Sequence, residues 1–200
     1  MRFSKMFYLM IVLSSLMAMI YAQKPVVGQN GVQSNSDLFT PDISINGAIF
    51  LENESSGNDF LKGLEFEFND SLWYFPGLFF ESSDGTQMLG MYLYPGGMKN
   101  AFSVFEVGYC KNYPANTGKR IRANKFQTEN GVQLGMTVER LHLEKGKPDS
   151  VLVDYWGDTL YRYEYLDEEF LQHYLMPSYF LEYKEEDGQV SFFRFGFDYP

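Results

Sequence analysis

Apolar and polar residues alternate with a period of two through most of the chain beyond residue 41. That is the spacing of β-strands with one buried and one wetter face. Leu64, Phe66 and Phe68 alternate with Glu65 and Glu67, and Asn69-Asp70 marks a turn before a second run at 72–75. Pro76-Gly77 interrupts, and a strand resumes over 78–81. Ser82-Ser83-Asp84-Gly85 is turn chemistry, because Gly85 accepts a positive φ. Further strands are expected over 43–51, 88–94 and 102–109. Two hairpins follow. The first joins 151–155 to 160–165, with Tyr161, Tyr163 and Tyr165 on one face and Arg162 and Glu164 on the other. The second joins 179–184 to 189–199, with Phe193, Phe195, Phe197 and Tyr199 on one face and Arg194, Gly196 and Asp198 on the other.

Helical spacing is confined to two short stretches. Over 137–145, Thr137 can cap the first turn, Glu139 complements the positive helix end, and Met136 can staple onto Leu141. Gly146 sits where a left-handed cap belongs, and Pro148 forbids continuation. Val138, Leu141, His142 and Lys145 share one face, a thin apolar stripe that places the helix at the sheet's margin. The other stretch is 167–175, capped by Asp167 and ended before Pro177. The pattern predicts an α+β fold: an antiparallel sheet rich in aromatic hairpins, with one or two short helices packed at its margin. No motif recurs at a fixed period.

Residues 1–22 read as a secretion signal. Arg2 and Lys5 precede an apolar run at 6–20, and Ala22 offers the small side chain a signal peptidase needs before the cut. At about 15 residues the run is short of the ~20 required to span a bilayer. No later segment is long enough to span one either. Residues 23–40, rich in Gly, Gln, Ser and Asn, read as a flexible tether. Residues 41–200 then form a single domain, with a β-rich half at 41–125 and a half at 126–200 that holds the stronger helix and the two hairpins.

Losing the leader removes two basic groups and makes the charge more negative than the −10 of the whole chain. Such a surface repels phosphate backbones, so nucleic acid is not an expected partner. Cys110 is the only cysteine, which excludes an internal disulfide and a cysteine metal site; it is expected to be buried and inert.

Catalytic signatures are missing from the sequence. His142 and His173 fall on different helices without ligand spacing, and no Gly-x-Ser-x-Gly elbow or Asp-x-Asp-x-Asp-Gly loop is present. Glu65, Glu67 and the acidic runs at 167–169 and 185–187 fall in turns or on polar strand faces, where carboxylates are ordinarily solvated. We therefore assign no catalytic residue, metal or cofactor. Two features stand out instead. No acid occurs between Glu106 and Glu129, whereas Lys111, Lys119, Arg120, Arg122 and Lys125 do, a local charge inversion suited to an anionic partner. The 15 tyrosines and 19 phenylalanines suggest stacked core strands, or an exposed aromatic platform with Tyr92, Tyr94, Tyr161 and Tyr163 as members.

Gly135-Met136-Thr137, eight residues, then Gly146-Lys147-Pro148 resembles the helix signature of BamE/SmpA-like small envelope proteins. With the preceding residues 126–134 and the two hairpins, it also resembles exported proteins of Bacteroidetes-type bacteria. The resemblance covers roughly 126–200. It implies a fold similar to that of β-lactamase-inhibitor protein, with short helices on an antiparallel sheet, and a protein-binding role in the envelope. The family often carries a lipid anchor, and no cysteine stands near the cut here. It usually has an apolar residue where Lys145 stands, implying a looser helix–sheet contact. The expectation is a non-catalytic exported protein, periplasmic or extracellular, that binds an envelope protein or an anionic cell-surface component. Two other classes are a carbohydrate-binding module using exposed aromatics, and an enzyme with two carboxylates facing across a cleft, one of raised pKa.

Overall fold

The computed structural model describes residues 39–65, 76–94, 97–154 and 157–198. The expected leader, most of the tether, and the alternation at 66–68 with the run at 72–75 lie outside the described residues. The expected single strand at 43–51 is a tight hairpin, β1 (Ser44–Ile45) and β2 (Ile49–Phe50), because Asn46 and Gly47 both take positive φ and fold the run on itself. Helix α1 (Glu54–Leu61) follows, then β3 (Gly77–Glu81), β4 (Gln87–Tyr92) and β5 (Val104–Tyr109). A 3-10 turn at Cys110–Asn112 leads to β6 (Lys119–Arg120) and α2 (Val138–Lys145). The chain closes with β7 (Ser150–Val153), β8 (Thr159–Tyr165), α3 (Glu168–Tyr174), β9 (Tyr179–Glu186) and β10 (Gln189–Phe197).

Eight of these strands form one sheet in the order β6-β3-β4-β5-β10-β9-β8-β7, antiparallel except where β6 runs parallel to β3. The fold is thus α+β. The registers place Leu78, Phe80, Leu89, Met91, Phe105, Val107, Phe195, Leu181 and Tyr163 on one face, and the helices pack there. From α1, Phe60 stands edge-on to Phe80; from α3, Phe170 does so to Tyr165 and Tyr179; from α2, His142 hydrogen-bonds Tyr183 Oη at 2.9 Å. Among the described residues no helix is long and apolar enough to cross a membrane.

Local chemistry explains the helices. In α2, Thr137 Oγ1 accepts the Arg140 N–H, and Gly146 turns the chain at φ 78°, although its ψ of −164° lies outside the left-handed helical region. In α3, Asp167 caps Phe170 N and Leu175 supplies the left-handed stop. Helix α1 was not expected, since Ser55, Ser56, Gly57, Asn58 and Asp59 are poor helix formers. It forms because Asn53 caps Ser56 N at 2.9 Å and because tertiary packing overrides propensity. A Cβ on Gly57 would lie 2.0 Å from Asn100 O, so only glycine permits that contact.

Residues 39–45 lie over the covered face. Phe39 stacks on Tyr163 at 5.5 Å, Tyr179 Oη accepts from Asp42 N and donates to Asp42 O, and Glu129 accepts from the N–H groups of Ile43 and Ser44. Lys145 packs against this segment rather than against the sheet. It is 2% exposed, its Nζ lies 2.9 Å from Asp42 Oδ2, and it donates to Thr40 O. The cation fastens this segment to the end of α2.

Candidate binding surfaces

The uncovered face of the sheet carries a charge ladder. Strand pairing sets Glu106 of β5 opposite Arg194 of β10, Arg194 opposite Glu182 of β9, and Glu182 opposite Arg162 of β8. Glu182 receives Arg162 Nη1 at 2.8 Å and the Nε of Arg194. Arg162 also reaches Asp198 at 2.6 Å and Glu164 at 3.0 Å. Opposite charges on directly paired strands attract, and each buried carboxylate here has a guanidinium beside it. Two sheet glycines make room for the rings flanking the ladder's end. A Cβ at Gly90 would sit 2.9 Å from Tyr92 Oη, and one at Gly108 would sit 2.9 Å from Tyr113 Oη.

Beside Glu106 a cleft of about 680 Å³ opens between Tyr113 and Pro114 on one side and Asp158 and Lys184 on the other. Glu106 is buried, and desolvation pushes its carboxyl above the ordinary glutamate value, an effect that Arg194 and the Tyr113 hydroxyl only partly offset. Tyr113 Oη donates to Glu106 Oε1 at 2.7 Å. On the opposite wall Lys184 bonds Asp154 and, at 2.8 Å, Asp158. Of the cleft's carboxylates, Asp158 is therefore ion-paired, whereas Glu106 is held by the neutral Tyr113 hydroxyl.

The basic stretch divides. Lys111 leans toward β9, 3.8 Å from Glu186. The other four lie at the β3 side, all exposed: Lys119 donates to Glu65 O, Arg120 pairs with Glu81 at 3.1 Å, and Lys125 donates to Gln133. Arg122 makes no ion pair among the described residues. Arg120 and Arg122, with Lys62 from the end of α1, border a groove of about 530 Å³ whose walls include Ile45, Ile49, Phe60, Ile121 and Phe126.

The third surface is an edge. Strand β7 ends the sheet and has no neighbour on its outer side among the described residues. Val151 and Val153 are 60% and 72% exposed on it. The alternation at 151–155 marks the strand, but its position at the end of the sheet depends on pairing that no local pattern reveals.

The proposed aromatic platform is corrected. Tyr92, Tyr94 and Tyr163 are buried, and Tyr161 is half-buried and stacked on Tyr183 at 4.8 Å. Tyr92 lies on the ladder face and Tyr161 and Tyr163 on the helix face, so the tyrosines stabilise both sides of the sheet. His173 stands edge-on to Tyr174, separate from His142. Desolvation raises the half-buried Cys110 thiol above its ordinary value, which keeps it protonated near neutrality. Among the described residues no three His, Cys, Asp or Glu side chains cluster to hold a metal ion. The signal Ala22 lies outside the described residues.

No family model, curated protein or solved structure matches this chain.

Proposed function

We propose that the chain is an exported, non-catalytic protein-binding module of the bacterial envelope, of the BamE/SmpA-like kind, and that it takes an extended segment of its partner along β7. The observation that carries this reading is the outer edge of β7, unpaired among the described residues, with two exposed valines at alternate positions along it. An open edge presents unpaired N–H and C=O groups, and a strand added there gains main-chain hydrogen bonds while its alternate side chains cover Val151 and Val153. The basic leader with its apolar run and the residues at 135–148 support the envelope part of the reading. The rigid ladder face supports a binding role, since it holds β8 and β9 behind the docking strand.

A photoreactive benzophenone side chain at Val153, introduced in cells making the protein, tests this. The expected result is one discrete adduct, mapped to an extended segment with alternate apolar residues and lost in Val151→Lys. The same group at Leu143, 88% exposed on α2, should give none. Equal labelling from both positions, or none from Val153, would reject the edge.

A further inference from the structure

We propose that the groove between the β1–β2 hairpin, the end of α1 and residues 120–126 binds a free single-chain amphiphile with an anionic head, a long-chain carboxylate. Three observations carry this. The walls are apolar: Phe60, Leu64, Ile121 and Ala123 are partly exposed in them, backed by the buried Ile45, Ile49 and Phe126. At about 530 Å³ the groove falls within the range of small-ligand sites. Its border is cationic in a chain of net charge −10: Lys62 and Arg122 have no ion-pair partner among the described residues, and Arg120 shares only Glu81. A guanidinium fork matches the two oxygens of a carboxylate.

The walls also favour a hydrocarbon chain over a peptide. A peptide brings amide groups that need partners once desolvated. Asn46, the side-chain amide of the lining, already donates to Lys125 O at 3.0 Å and accepts from Gln127 N at 3.1 Å. A bilayer surface fits less well, because among the described residues the exposed large apolar side chains (Met98, Leu143, Val151, Val153, Leu166 and Leu175) are all outside the lining. This inference is independent of the β7 edge, which lies at the opposite end of the sheet.

Titration calorimetry of the purified protein with dodecanoate, below its micelle concentration and at neutral pH, tests it. The expected result is a saturable single site. Binding should weaken about tenfold or more in Arg120→Glu/Arg122→Glu, since each charge-assisted contact is worth roughly a decade. It should vanish in Ala48→Trp, which fills the groove from an exposed position; circular dichroism confirms that both variants are folded. Dodecanol, with the same chain and no charge, should bind more weakly and ignore the reversal. Anionic phospholipid vesicles should not compete. The proposal fails if dodecanoate gives no saturable heat, if all three proteins bind it equally, or if vesicles bind in its place.

Discussion

Lys145 shows how one residue changes the reading of an element. At the end of a short helix a lysine is expected to reach solvent, and its stem alone would pack. Here its ammonium is buried against Asp42, an ion contact without an aligned hydrogen bond, since Asp42 Oδ2 has no hydrogen-bond partner among the described residues. Burying both charges is costly, and removing one leaves the other uncompensated. Asp42→Ala should therefore destabilise the fold by about 3–5 kcal/mol, and Asp42→Ala/Lys145→Met should recover much of the loss. Urea denaturation reads both. A loss below about 1 kcal/mol in the single variant would mean that Lys145 finds water on its own. The cap at Thr137 and the turn at Gly146 were legible, because capping is local chemistry. The Lys145–Asp42 contact was not, because its partners stand more than a hundred residues apart.

At the scale of elements, the two C-terminal hairpins and α3 stand where the alternation and caps place them, whereas α1 was invisible. The difference is physical. Hairpin periodicity is written in neighbouring residues, but α1 depends on its Gly57 meeting Asn100 from another part of the chain. The ladder lies between these cases: Arg162, Arg194 and Asp198 could be placed on polar strand faces, but only the register puts Glu106, Arg194, Glu182 and Arg162 in one row. That row predicts a pH dependence. Glu106 has a folded-state pKa above its ordinary 4.5, so between that value and the raised one the native state holds more protons than the unfolded chain. Stability therefore falls as pH rises through this window. The Glu106 penalty is absent below the unfolded pKa and fully present above the folded one. In Glu106→Gln this component should disappear, so the difference in unfolding free energy between the two proteins should vary with pH across that window. A constant difference from acid to neutral pH would contradict the shift.

For the whole molecule, one architecture separates three tasks. The helix face with residues 39–45 forms the aromatic core. The opposite face is held by alternating charges. The two ends of the sheet differ: β6 brings basic residues to one, and β7 leaves exposed valines at the other. The basic stretch was visible in the sequence as a charge inversion, but its separation into Lys111 and a β3-side group follows from the strand order. The expected aromatic platform was composition without topology, because successive residues of a strand face opposite ways and Tyr92, Tyr94 and Tyr163 are buried.

We propose β7 as the docking strand. Amide hydrogen exchange measures it directly, using the purified protein with and without a synthetic peptide of the segment captured by the Val153 photoadduct. Amides within residues 150–153 that face away from β8 should become about tenfold or more protected on peptide addition, because each gains a ladder hydrogen bond. Unchanged exchange in β7, with new protection elsewhere in the sheet, would contradict it.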